Sequence, residues 1–177
     1  MNLSKTLDSI KADLIKQGLD CVIQPFDDLP YTQLLIYTGL DQAKRTQLIE
    51  IKVPTNERIE LLAATPANEC VNIQLVAFFP FEVDDLALAD VAQFLHFLNF
   101  QVEVPGFYLN YIDKTILYRY VLLAENGHFP KKILMSLIGI AMFFQDVFGQ
   151  TFERLAKGKT TFIDLMEEIQ EILAKGS

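Results

Sequence analysis

Two spacings of apolar residues run along this chain. Leu3, Leu7, Ile10 and Leu14 recur three and four apart, which predicts an amphipathic helix over Leu3–Gln17 with Gly18 as its stop. Period-two runs follow at Asp20–Pro25, Tyr31–Thr38 and Arg45–Val53. In the last of these, Gln47, Ile49, Ile51 and Val53 share one face, and Thr46, Leu48, Glu50 and Lys52 the other. Turn sequences Pro54-Thr55-Asn56 and Pro66-Ala67-Asn68 set off two more strands, Arg58–Thr65 and Cys70–Phe79. Successive short strands joined by tight turns predict an antiparallel meander.

Helical spacing then returns. Leu88, Val91, Ala92, Leu95 and Leu98 predict a helix over Leu86–Asn99, with Asp84 or Asp85 as N-cap and Phe94 and Phe97 beside the apolar side. Pro105-Gly106 interrupts it before a hairpin. Its strands are Phe107–Ile112 and Thr115–Leu123, joined by Asp113-Lys114. Both faces of the second strand are largely apolar, so one should meet the core and the other a helix or a second subunit. Pro130 opens a long helix to Leu155, roughly 35–40 Å at ~1.5 Å per residue. Ile133, Leu137, Ile140, Phe144, Val147, Phe148 and Leu155 read as its broad face; Met135, Ile138 and Met142 lie on another. Thr160 caps a final helix, Phe162–Leu173, with Glu167, Glu168 and Glu171 on its polar side.

This order predicts an α+β fold. An antiparallel sheet, made of a strand meander plus a C-terminal hairpin, packs against an N-terminal helix, a middle helix and one long helix, with a short helix last. The 177 residues read as a single domain, and 14 phenylalanines predict an aromatic core. The net charge of −8 and a pI near 4.7 oppose binding to nucleic acid or to anionic membranes. The N-terminus lacks a signal-peptide layout, so a cytoplasmic location is expected. Cys21 and Cys70 fit no metal-ligand pattern and read as buried free thiols.

No residue pattern carries a reaction. His96 and His128 have no partner at ligand spacing, and none of the four serines lies in a nucleophile elbow. Gly158-Lys159-Thr160 resembles the end of a phosphate loop, but Glu153 stands where its first glycine belongs. The pairs Asp27-Asp28, Asp84-Asp85 and Glu167-Glu168 are sequence neighbours, whose side chains diverge. Neither a catalytic residue, a cofactor nor a metal is therefore expected. Arg119 stands alone as a charged residue between tyrosines in an apolar strand. It reads as buried, either paired with a carboxylate or lining a pocket for an anion.

The element order, together with the hairpin Pro105-Gly106-Phe107-Tyr108-Leu109 and Ile116-Leu117-Tyr118-Arg119-Tyr120-Val121-Leu122-Leu123, resembles the YbjN-type proteins and the fold they share with type III secretion chaperones. It is also similar to small bacterial proteins, from cyanobacteria, in that group. The likeness runs to about Leu155; the final helix and the extra strands depart from the compact chaperone form. The resemblance implies a small, acidic, non-enzymatic homodimer that binds a protein segment. Met135, Ile138 and Met142 on the long helix, with Phe78, Phe79 and Phe81, are the candidate partner-binding residues. The alternative is a sensor domain with a small-molecule pocket between sheet and long helix, lined by Tyr118, Tyr120 and Phe144.

Overall fold

The two spacings become four α-helices and a six-stranded antiparallel sheet in a computed structural model that describes residues 3–24, 31–54, 70–125 and 131–175. In chain order these are α1 (Leu3–Lys16), β1 (Asp20–Gln24), β2 (Tyr31–Leu40), β3 (Thr46–Pro54), β4 (Cys70–Glu82), α2 (Leu88–Gln101), β5 (Phe107–Asn110), β6 (Thr115–Glu125), α3 (Lys131–Ala156) and α4 (Phe162–Lys175). The strand order is β1-β2-β3-β4-β6-β5. The fold class is thus α+β. The expected strand Arg58–Thr65, the pair Asp27-Asp28, His128 and Pro130 lie outside the described residues.

The chain divides into two compact units, Met1–Ala77 with Arg119–Phe143 and Phe78–Tyr118 with Phe144–Ser177. In the first, α1 packs on β1 and β2. Its Leu7, Ile10 and Leu14 are buried, as are Leu34 and Ile36 of β2 and Ile49, Ile51 and Val53 of β3. The alternation expected in β3 holds, with Gln47 buried beside those three. Gly18, at φ 81°, ends α1: its amide donates to Ile15 O and that of Leu19 to Leu14 O, satisfying carbonyls the helix leaves open. Lys131 of α3 ties back to α1, its Nζ donating to Ser9 Oγ at 2.6 Å and to Asp13 Oδ2 at 2.8 Å.

The second unit is built around Phe107. Its ring meets Tyr118, Phe144, Phe148 and Phe152 at centroid distances of 5.4, 5.1, 5.6 and 5.4 Å. Phe152 in turn meets Phe79 at 4.7 Å and Phe94 at 5.8 Å, edge to face. Asn99 fixes how the strand arrives there. Its Oδ1 accepts from the amides of Gly106 and Phe107, and its Nδ2 donates to Phe107 O at 2.8 Å. Gln145 of α3, 2 % exposed, donates to Phe78 O at 2.9 Å.

Several expectations are corrected. The hairpin turn spans four residues, Tyr111–Lys114, with Asn110 opposite Thr115. Asn110 Oδ1 accepts from the Ile112 and Asp113 amides, which ends the ladder early, and Lys114 takes φ 50° in place of the missing glycine. Neither Asp84 nor Asp85 caps a helix by side-chain bond. A short 3₁₀ turn, Asp85–Ala87, precedes α2, and the two carboxylates pair with Lys157 and Lys114 instead. The cap of α4 is Thr161, not Thr160: Thr161 and Asp164 exchange hydrogen bonds as a capping box. On α3 the buried apolar positions are Leu134, Leu137, Ile138, Ala141, Phe144, Phe152, Leu155 and Ala156, while Ile133 and Val147 are about half exposed. A helix apolar nearly all round leaves its neighbours to choose the buried stripe. By length and a mean hydropathy of 1.5, α3 is also long and apolar enough to cross a membrane, and about a third of that apolar window is buried in the structure.

Phe107→Ala is expected to remove about 3–5 kcal/mol of stability, and Phe107→Leu less, in chemical denaturation. Asp13 provides a pH test. The hydrogen bond from Lys131 holds its carboxyl below the ordinary carboxylate value. A depressed acid stabilises above its unfolded value and loses that contribution as pH falls through the folded one. The melting-temperature gap between wild type and Asp13→Asn should therefore hold near neutrality and close below about pH 4.

Candidate functional site

Because Leu34 and Ile36 of β2 point inward, Gln33, Leu35 and Tyr37 point to the other side of the sheet. The register sets Gln33 beside Gln24 and Lys52, Leu35 beside Val22 and Glu50, and Tyr37 beside Asp20 and Leu48. Arg119 lies on the same side, its Nε donating to Gln74 Oε1 at 3.4 Å. Val121 and Leu123 follow it at strand spacing. This outer face of the first unit stays partly open, with Tyr37 and Val121 each 42 % exposed and Leu123 65 %. The expectation that both faces of β6 would be covered therefore holds for one face only.

A polar cluster interrupts the face. Glu50 and Gln33 are 6 % and 7 % exposed. Glu50 Oε1 accepts from Gln33 Nε2, and Oε2 lies 2.6 Å from Lys52 Nζ, an ion pair. Charged groups of both signs fall on this face, among them Asp20, Glu50, Lys52 and Arg119. Nothing in the sequence singled out Gln33 or Tyr37. Glu50 and Lys52 were legible only as one side of an alternating strand.

The residues expected to bind a partner separate. Phe79, Phe81 and Ile138 are 2 %, 9 % and 1 % exposed and belong to the cores of their units. Phe78 points away from Phe79 and Phe81 and is half-buried, as are Met135 and Met142. With Ile138 buried between them, the two methionines form no continuous exposed stripe. Arg119 is exposed and bonds an amide oxygen, where a buried pair with a carboxylate was expected. The pocket expected around Tyr118 and Phe144 is filled by their own rings, 5.1 Å apart, and the Tyr118 hydroxyl donates to Val104 O at 3.4 Å.

The remaining reactive groups have structural partners. Burial pushes the Cys21 thiol up, away from a reactive thiolate, and its sulfur donates to Lys11 O at 3.7 Å. Ser136 Oγ donates to Lys132 O. His96 is exposed on α2. Gly158, at φ 60°, closes the end of α3 through amide bonds from Gly158 and Lys159 to Leu155 O and Arg154 O. Among the described residues no group of three His, Cys, Asp or Glu could hold a metal ion. No family model, no curated protein and no solved structure matches the chain.

The polar cluster is testable. Lys52→Met leaves the Glu50 carboxylate buried without its cation and should cost about 2–4 kcal/mol in urea denaturation. Adding Glu50→Gln removes the stranded charge and should restore most of that loss.

Proposed function

We propose that this chain is a non-enzymatic protein-binding domain, chaperone-like or adaptor-like, that acts as a homodimer through the outer sheet face of its first unit. The observation that carries this reading is a partly open face with apolar side chains at Tyr37, Leu35 and Leu48 on β2 and β3 and at Val121 and Leu123 on β6, next to an exposed arginine. Tyrosine and arginine are the side chains that most often anchor protein interfaces. A second copy is favoured as partner by charge. A chain of net charge −8 repels its own kind at long range, whereas this face sets the cations Lys52 and Arg119 among carboxylates. Two copies meeting here bring Arg119 of one towards a face that offers carboxylates. The likeness to YbjN-type and secretion-chaperone proteins points the same way.

Light scattering on the purified chain should give twice the mass of one chain. Val121→Glu with Leu123→Glu should give a monomer with an unchanged circular dichroism spectrum and melting temperature. Arg119→Ala should weaken the dimer by about tenfold or more, equivalent to ~1.4 kcal/mol. A wild-type chain that stays monomeric at high concentration would sink the reading. A dimer lost in Met142→Lys but kept in the sheet-face variant would move the interface to α3.

A further inference from the structure

In the first unit, the end of α1 and the start of α3 border an open cleft of about 530 Å³ lined by residues that include Asp13, Lys16, Lys131, Lys132, Met135 and Ser136. This size falls within the range of ligand sites. Its charge runs against that of the chain, where 23 acidic residues outnumber 15 basic ones. Three ammonium groups meet one carboxylate. Asp13 is taken by Lys131 at 2.8 Å and lies 3.8 Å from Lys16. The cleft keeps an excess of two positive charges, at Lys16 and Lys132, on two different helices. Half-buried Met135 supplies a soft apolar surface that adapts to what it meets.

We infer that this cleft docks an acidic segment of a protein partner, with carboxylates on Lys16 and Lys132 and an apolar side chain on Met135. Among the described residues the charged donors lining the cleft are lysines, with no arginine fork to grip a single phosphate or carboxylate. Lysines are separate point charges on long stems, suited to carboxylates spaced along a chain. Lys131 is a positioning residue here, since its bonds to Ser9 and Asp13 hold α1 against α3. The site is distinct from the sheet face and does not depend on dimerisation.

The test is fluorescence anisotropy on the full chain. The probes are a labelled peptide of alternating glutamate and leucine, its glutamine counterpart, and inorganic phosphate as competitor. The glutamate peptide should bind, at least tenfold tighter than the glutamine peptide, and weaken as salt rises. Lys16→Glu with Lys132→Glu should reduce binding at least tenfold at an unchanged melting temperature, while Val121→Glu with Leu123→Glu binds as wild type. Equal affinity for the two peptides, undiminished binding by the charge-reversed variant, or loss of binding in the sheet-face variant would each overturn the inference. So would phosphate displacing the peptide at comparable concentration, which would make the cleft a small-anion site.

Discussion

Edge-to-face contact around Phe107 is the interaction on which the second unit depends. One ring touches β6 through Tyr118, β4 through Phe79, and α3 through Phe144, Phe148 and Phe152. Each such ring pair adds roughly 0.5–1.5 kcal/mol beyond the area it buries, and an aromatic hub shares its neighbours among several pairs. Asn99 makes the hub possible. Its amide satisfies the backbone of Gly106 and Phe107, so β5 can start on a buried ring right after Pro105-Gly106 without stranded donors. Packing and polar satisfaction are thus one feature here.

The first unit solves a different problem. Its inner side is aliphatic and covered by α1. Its outer side has no helix among the described residues, and it mixes exposed apolar side chains with a buried Glu50–Gln33–Lys52 cluster. A buried ion pair contributes little net stability against an apolar replacement, so its value lies elsewhere. In a face that meets another surface, such a cluster favours one register of approach over others.

Much of the described secondary structure was legible from residue order. Strand alternation in β3, the helix stop at Gly18 and the paired runs of the hairpin each follow from local rules that tertiary contacts did not override. The misses share one cause. The hairpin turn lengthened because the Asn110 side chain, not the backbone alone, closes it. Asp84 and Asp85 left their capping role for lysines far along the chain. Arg119 was read as buried because both faces of β6 are apolar, and only the described neighbours show that one of those faces is uncovered.

By itself the sequence determined which of the described stretches are helix and which are strand, the acidic balance, and an apolar supply large in phenylalanine, because these depend on spacing and composition. It could not determine which side of α3 is buried, since that helix is apolar in nearly every direction and its neighbours decide. Nor could it bring Lys16 of α1 beside Lys132 of α3, or leave Tyr37, Val121 and Leu123 on one open face. Those placements join residues remote in sequence, and only the packing of strands and helices sets them side by side.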